Sequence, residues 1–141
     1  MYDGECEVHA VFTGEKVREW KGRVGENLAV LAHPECNVDV LEEADFVGST
    51  SGMIGYVDRE RPRRVVMITE CSMSDNVAVE FPDVEFIRPC NLCPHMKRIT
   101  LPKILASLQQ LKYEVEVDAT VAVRARRAVK RMLQLSAGPR A

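Results

Sequence analysis

Residues 64–68, R-V-V-M-I, decide the fold of this chain, because four consecutive apolar residues stand between polar neighbours. A continuous apolar run of this kind is typical of a strand that is buried on both faces, whereas a half-exposed strand alternates between apolar and polar residues. Residues 28–31, L-A-V-L, form a second run of the same kind. We predict a strand at each run, and briefer strands at residues 45–47 and 84–87.

Helical patterns separate these strands, and the repeated order of strand, polar loop and helix predicts a parallel sheet. The predicted fold class is α/β, a three-layer α/β/α sandwich with a short parallel sheet, followed by C-terminal helices. We place an α/β domain at residues 1–99 and a helical tail at residues 100–141. The predicted helices are 14–20 after Thr13 (broken by Gly22 and Gly25), 38–44 after Asn37, 53–59, a helix containing 77–81 after Ser74 or Asp75, 101–111 after Thr100, and 119–135 after Asp118.

The composition of the 141 residues is ordinary for a globular protein, with 46% hydrophobic and 28% charged residues. The formal net charge of -2 gives no indication of a nucleic-acid partner. No apolar run approaches the roughly 20 residues that a membrane-spanning helix needs, so we expect no membrane partner. The first residues lack the basic and then apolar segments of a secretory signal, so we expect the cytoplasm. In that compartment the five cysteines are expected to be reduced thiols or metal ligands rather than disulfides.

The densest group of reactive side chains lies at residues 88–100, R-P-C-N-L-C-P-H-M-K-R-I-T. Cys90 and Cys93 have the C-x-x-C spacing that lets two thiols bind one metal atom or form a disulfide. The second C-x-x-C pair of a typical structural zinc site is missing. A metal site, an iron–sulfur site and two unrelated thiols therefore remain open on spacing alone.

Polar residues also follow the other predicted strands. His33, Pro34 and Glu35 follow the first strand, and a proline-stiffened imidazole and carboxylate are groups that acid–base catalysis uses, although a plain surface loop has the same pattern. Ser49 and Thr50 follow the second strand and open a helix, so they could bind an anionic group or simply cap the helix. Because parallel strands end at one edge of their sheet, we expect these loops to meet there.

The remaining cysteines and the basic residues of the last predicted helix give less specific predictions. Cys36 and Cys71 each follow a carboxylate, which disfavours a thiolate, so we interpret both as core or spectator residues. Cys6 has polar neighbours, which argues against a place in the apolar core. The basic residues of the last predicted helix are interpreted as a solvated face.

Four blocks of the sequence resemble the C-terminal part of bacterial quinolinate synthase, the A protein of NAD biosynthesis. They are CEVHAVFT, VLAHPEC, ADFVGSTSGM and ITECSMSDNVAVEFPDVEFIRPCNLCPHMKRITLPKIL, in the family's order and at compatible spacing. The family condenses iminoaspartate with dihydroxyacetone phosphate to quinolinate, releasing phosphate and water. Its 4Fe–4S cluster is held by three cysteines, one from each of three similar α/β domains, and the open iron acts as a Lewis acid. This chain is similar to the third domain with the C-terminal helices.

The resemblance implies roles for individual residues. The cluster cysteines of the family fall on Cys6 and Cys93, which leaves Cys90 as a non-ligand. The substrate-contacting segment falls on His33, Pro34 and Glu35, with Glu35 as the acid–base carboxylate and His33 beside it in the catalytic site. Further substrate-binding residues implied by the resemblance are Ser49, Thr50 and His9, the last close to the cluster.

The resemblance also implies partners. Family members are more than twice as long, so the third cluster cysteine is expected on N-terminal domains outside this sequence or on a partner chain that carries them. L-aspartate oxidase is expected as the supplier of iminoaspartate. Two alternatives stand beside this reading: a stand-alone metal module using Cys90 and Cys93, with His95 and Cys6, or an inactive α/β remnant.

Overall fold

The computed structural model describes residues 4–25 and 27–136 of the chain. Two compact units divide it, residues 1–98 and residues 99–141. Among the residues that the structure describes, the first unit contains the sheet and the second contains two helices. No helix among the described residues is both long enough and apolar enough to cross a membrane.

The sheet of the first unit has four parallel strands within the described residues, β1 (Leu28–Ala32), β2 (Phe46–Val47), β3 (Arg64–Ile68) and β4 (Glu85–Ile87). Their order across the sheet is β2-β1-β3-β4, so the two strongly apolar strands are central. The register pairs Val30 with Val66. These parallel pairings confirm the predicted parallel sheet. Every residue of β1 is buried, as a strand covered on both faces requires.

Helices cover both faces of this sheet. α1 (Gly14–Val24) and α2 (Val38–Glu43) pack with alternate strand residues such as Val30 in one apolar cluster. α3 (Thr50–Glu60) and α4 (Cys71–Glu80) pack with the intervening residues, such as Leu31, in a second cluster. Because successive strand residues point to opposite faces, one strand supplies both clusters. The predicted three-layer α/β/α architecture is therefore confirmed.

The first helix is longer than predicted. Its start is as expected, since the Thr13 side chain accepts a hydrogen bond from the Lys16 backbone N–H. The helix continues through Gly22, which was wrongly predicted to break it, and ends at Gly25 with φ +81°. A glycine inside a helix costs only about 1 kcal/mol, whereas a left-handed φ at the end of a helix favours glycine strongly.

The predicted cap of α4 is wrong, and the predicted cap of α2 has the expected position without a side-chain hydrogen bond to the helix. α4 begins at Cys71, before the predicted caps Ser74 and Asp75, because the Glu70 carboxylate accepts the Ser72 backbone N–H at 2.8 Å. Asn37 precedes α2 as expected, but its side-chain amide donates to the carbonyls of Ala10 and Phe12 instead of capping the helix. It thereby ties the N-terminal segment to the start of α2.

The second unit contains α5 (Leu101–Gln110) and α6 (Ala119–Ser136). Asp118 caps α6 as predicted, accepting hydrogen bonds from the backbone N–H groups of Thr120 at 2.9 Å and Val121 at 3.2 Å. The hydrogen bond from the Thr120 side chain is the main reason why the pKa of Asp118 is lowered.

Candidate functional site

The loop after β1 is fixed to the sheet by backbone hydrogen bonds. The His33 N–H donates to the Ile68 carbonyl at 3.1 Å, which continues the pairing of β1 with β3 by one residue. The Cys36 N–H donates back to the His33 carbonyl at 3.0 Å and closes a turn around Pro34 and Glu35. The predicted segment 33–35 therefore occupies the carboxyl end of a central strand, where parallel sheets carry their ligand sites.

The N-terminal segment folds over the same edge of the sheet. The backbone N–H groups of His9 and Ala10 both donate to the Cys6 carbonyl, at 3.0 and 2.9 Å. Val8 and Phe12 are buried and anchor the turn in the core. His9 is consequently only 6% exposed, although it precedes the first helix.

His9, His33 and Glu35 form one cluster. The two imidazole rings are stacked, with centroids 4.7 Å apart and an angle of 9° between their planes. The Glu35 carboxylate oxygen Oε2 lies 3.2 Å from His9 Nδ1 and 3.7 Å from His33 Nδ1. On the other side of the first ring, His9 Nε2 lies 3.2 Å from the hydroxyl oxygen of Thr69. The predicted catalytic pair His33 and Glu35 and the predicted substrate residue His9 are thus in contact.

Burial is the main influence on the pKa of His9. It lowers the pKa of His9 below its usual 6.5, and the neighbouring His33 lowers it further, while Glu35 acts in the opposite direction. Burial therefore favours the neutral form of His9. The Glu35 carboxylate lies 3.2 Å from His9 Nδ1, and it opposes the effect of burial on this ring.

Cys6 adds a sulfur ligand to the cluster. One ligand atom each from Cys6, His9 and Glu35 lies within 4.8 Å of the other two. Thiolate, imidazole and carboxylate are the ligands that zinc and iron sites use. Sequence reasoning assigned Cys6 a metal ligand role together with Cys93, and it did not predict this combination with His9 and Glu35.

Two contacts bring residues 88–100, the cysteine loop, towards Cys6. The side-chain amide of Asn91 donates to the Val8 carbonyl at 2.8 Å, and His95 Nε2 lies 3.2 Å from a carboxylate oxygen of Glu7. Cys93 lies between Asn91 and His95 in the sequence, and it is a half-buried free thiol. These contacts place the two cysteines predicted as cluster ligands at the same end of the sheet.

Cys90 has a different partner from any that its spacing suggested. It forms a disulfide with Cys71, and their Cα atoms are 4.9 Å apart. The pairing arises because β3 and β4 are neighbours, so the residues that follow them meet, and the Cys71 N–H donates to the Asn91 carbonyl at 3.1 Å. The expectation that the cysteines are reduced thiols or metal ligands is therefore wrong for Cys71 and Cys90, although Cys71 is buried, in agreement with the core role predicted for it. A metal module built on Cys90 and Cys93 is also wrong, since a disulfide sulfur is no thiolate ligand.

Cys36 is a core residue, as predicted. Its thiol is buried and donates a hydrogen bond to the Ile68 carbonyl at 3.6 Å. Burial raises its pKa to about 11. A thiol that stays protonated at physiological pH is a poor metal ligand.

Ser49 and Thr50 begin α3 directly after β2. The Ser49 hydroxyl accepts the Gly52 N–H at 3.2 Å and is therefore used as a helix cap. The Gly48 N–H donates to the Ala32 carbonyl at 3.1 Å, which brings this loop next to the residue preceding His33. Both side chains thus lie at the same sheet edge as the histidine cluster, and their predicted substrate role stays a prediction.

Sequence reasoning assigned no role to Thr69, and it did not predict that Glu70 caps α4. Thr69 is 4% exposed and contacts His9, while Glu70 caps α4 and lies 3.6 Å from Lys97 of the cysteine loop. Both residues directly follow the central strand β3, just as His33 directly follows β1. Their position in the sequence could therefore have identified them as site candidates.

Comparison with known proteins adds a second line of observation. The family described as "Quinolinate synthetase A protein" matches residues 1–134. This chain belongs to the quinolinate synthetase A family. It is 61% identical over 132 residues to quinolinate synthase of Agrobacterium fabrum, covering 94% of this chain and 38% of that protein.

Other relatives give the same picture. Quinolinate synthase 1 of Mesorhizobium japonicum is 58% identical over 132 residues, covering 94% of this chain and 40% of that protein. Quinolinate synthase of Xylella fastidiosa strain 9a5c is 54% identical over 134 residues, covering 95% of this chain and 39% of that protein. The chain therefore spans about two fifths of the length of the curated relatives it matches.

Proposed function

We propose that this chain supplies one domain of an enzyme that condenses iminoaspartate with dihydroxyacetone phosphate to quinolinate, in the de novo synthesis of NAD. Relatives named quinolinate synthase support this role. The observation that carries the proposal is the cluster of Cys6, His9, His33 and Glu35 at the carboxyl end of the central strands. It joins a metal-ligating thiol with acid–base groups in one place.

The proposed cofactor is a 4Fe–4S cluster held by Cys6 and Cys93. Both thiols are free and half-buried, and the contacts of Asn91 and His95 bring their loops together. The disulfide of Cys90 with Cys71 supports the non-ligand role of Cys90. The third thiolate is assigned to domains outside this sequence. When bound, the cluster offers an open iron as a Lewis acid for a substrate oxygen.

Glu35 is the proposed acid–base group. Its side chain is 59% exposed while its oxygen lies 3.2 Å from the buried His9, so it can reach both a bound substrate and a fixed imidazole. The condensation requires protons to be removed from carbon and added to departing oxygens, and a positioned carboxylate can do both. His33 is held beside it by the Glu35 N–H, which donates to His33 Nδ1 at 3.4 Å.

The substrates are bound, in this proposal, by His9, His33 and Pro34 on one side and by Ser49 and Thr50 on the other. The helix start at Ser49 presents backbone N–H groups, and such termini favour carboxylate and phosphate oxygens. The proposed partners are the remaining domains of the enzyme and L-aspartate oxidase as the supplier of iminoaspartate. The cytoplasm remains the predicted compartment.

A second candidate function is a mononuclear metal module. It rests on the 4.8 Å grouping of Cys6, His9 and Glu35, which needs no residue from another domain. Analysis of bound iron and sulfide after anaerobic purification separates the two candidates, because only an iron–sulfur cluster contains acid-labile sulfide.

The test is a chimera in which this chain replaces the segment that it matches in the Agrobacterium fabrum relative. Purified without oxygen, the chimera is expected to form quinolinate and to show the visible absorption of an iron–sulfur cluster. Cys6→Ala and Cys93→Ala are each expected to abolish the absorption. Cys90→Ala, the matched control three residues from Cys93, is expected to retain most of it.

Two outcomes contradict the proposal. A chimera that folds but makes no quinolinate removes the assigned activity. If Cys90→Ala empties the site as fully as Cys93→Ala, the ligand assignment is wrong. The chain by itself carries two of the three proposed cluster ligands, so it is expected to make no quinolinate without the other domains.

A further inference from the structure

The start of α4, residues 70–72, holds the cysteine loop on both sides of Cys93. Before Cys93, the disulfide joins Cys90 to Cys71. The carbonyl of the next residue, Asn91, accepts a hydrogen bond from the Cys71 N–H at 3.1 Å. These two attachments fix where the loop enters the region of the proposed metal ligand.

Lys97 makes the attachment that follows Cys93. Its ammonium group donates to the Ser72 hydroxyl oxygen at 2.5 Å and lies 3.6 Å from Glu70 Oε1. The Ser72 hydroxyl lies 3.4 Å from the same carboxylate oxygen, and it can donate to it while it accepts from the ammonium group. The ammonium, hydroxyl and carboxylate groups thus contact one another, and one lysine binds two side chains at the start of α4.

The partner of this lysine is fixed before the lysine reaches it. Glu70 accepts the Ser72 backbone N–H at 2.8 Å as the cap of α4, and its side chain is only 10% exposed. An ion pair between two exposed side chains contributes little to stability. A carboxylate as buried as that of Glu70 requires hydrogen-bond donors or a cation, so the loss of Lys97 is more costly here than at an exposed pair.

The position of Lys97 determines the position of Cys93, because one turn of backbone joins them. The Lys97 N–H donates to the Cys93 carbonyl at 3.1 Å, and the Met96 N–H donates to the Cys93 sulfur at 3.4 Å. Hydrogen bonds to ligand sulfurs are one of the means by which proteins tune iron–sulfur sites. An ammonium group that holds this turn therefore also holds the sulfur.

We propose that Lys97 is a positioning residue of the metal site, whose ammonium group fastens the turn at residues 93–97 to the start of α4 and thereby fixes the sulfur of Cys93. This inference rests on the proposed function for the ligand role of Cys93, whereas the fastening of the turn is a property of this chain. Lys97 acts through Cys93 and not on the substrate. Outer partners of metal ligands orient a ligand in the same manner in other sites.

The first test is backbone hydrogen exchange, followed by mass spectrometry, in the whole metal-free chain. Lys97→Met keeps a long unbranched side chain and removes the ammonium group. It is expected to lower the protection of the amides at residues 96–98 by about 5-fold, the scale of losing one hydrogen bond of ordinary net strength. Lys97→Arg keeps a cation at this position and is expected to retain the protection.

Two further variants make the exchange result specific. Ser72→Ala removes the hydroxyl that Lys97 contacts and is expected to give the same local loss of protection. Lys130→Met, the control, removes a lysine from α6 in the second unit and should leave residues 96–98 unchanged. Unchanged protection in Lys97→Met and Ser72→Ala overturns the proposal. A loss of equal size throughout the sheet also overturns it, because the proposed fastening is local.

The consequence for the metal site is measured in the chimera, as the rate at which an iron chelator bleaches the visible absorption without oxygen. Lys97→Met is expected to bleach about 10-fold faster or more, the scale for losing an outer partner of a ligand, and Lys97→Arg should stay near the parent rate. Cys90→Ala should bleach only slightly faster, because Lys97 still fastens the turn. Lys97→Met/Cys90→Ala loses both attachments, so its effect should exceed the product of the two single effects.

The outcomes in the chimera separate this inference from the proposed function. An unchanged bleaching rate in Lys97→Met refutes the role of Lys97 at the metal site. A double variant whose effect equals the product of the single effects refutes the shared fastening of the turn. A parent chimera without iron–sulfur absorption refutes the proposed cofactor instead, and it leaves the exchange result in the metal-free chain standing.

Discussion

Reduction of the Cys71–Cys90 disulfide is expected to destabilise the first unit by about 3 kcal/mol. The two cysteines are 19 positions apart in the sequence. In the chain-entropy treatment, closing a loop of this size removes roughly 11 cal/mol/K from the unfolded ensemble, which is about 3 kcal/mol at 25 °C. The segment that the disulfide closes contains the whole of α4 and β4. The bond connects the start of α4 to the cysteine loop.

The assay is urea unfolding of the chain with and without a phosphine reductant. Trp20 is the single tryptophan, and it packs edge-on against Phe12 with ring centroids 6.5 Å apart, so its fluorescence reports on the first unit. With a slope of about 1.5 kcal/mol per molar urea, the loss moves the midpoint down by about 2 M. The double variant Cys71→Ala/Cys90→Ala is the control, and its midpoint should not respond to the reductant.

Thiol titration of the denatured chain checks the premise independently. Without reductant, three thiols should react, those of Cys6, Cys36 and Cys93, and with reductant all five cysteines should react. Five reactive thiols in the untreated chain would refute the disulfide. A reductant effect of equal size in the double variant would refute the attribution of the lost stability to this bond.

The other predictions concern the site and the core. Glu35→Gln in the chimera should keep the cluster absorption and lower quinolinate turnover by about 100-fold or more; near-normal turnover would remove its acid–base role. Because burial raises the pKa of Cys36 from 9.0 to about 11, the folded state favours the neutral thiol. The stabilisation that the neutral Cys36 thiol contributes is full below pH 9 and is lost as the pH rises through 11. The unfolding midpoints at pH 8 and 11 should therefore differ less in Cys36→Ala than in the parent chain. Leu31→Ala removes a fully buried side chain from the central strand and should cost about 2–5 kcal/mol in urea unfolding, whereas Leu101→Ala on exposed α5 should cost little.

The sequence by itself determined the layers of the fold. Continuous apolar runs identified β1 and β3 to within a residue, because a strand buried on both faces has no polar positions to interrupt it. The order of strands and helices then required parallel pairing, and parallel pairing placed the loops after the strands at one edge. That reasoning, together with the family's motifs, was sufficient to select His33, Glu35 and His9 before any distance was known.

Only the tertiary structure decided which side chains meet. Local pattern cannot show that β4 lies beside β3, and that neighbourhood is what pairs Cys71 with Cys90 across 19 positions and removes Cys90 from the C-x-x-C pair. Hydrogen bonding likewise decided the start of α4, since Glu70 caps it, and it directed the Asn37 side chain to the N-terminal segment. The contact between Thr69 and His9 also depends on the tertiary structure. The two residues are 60 positions apart in the sequence, yet Thr69 Oγ1 lies 3.2 Å from His9 Nε2.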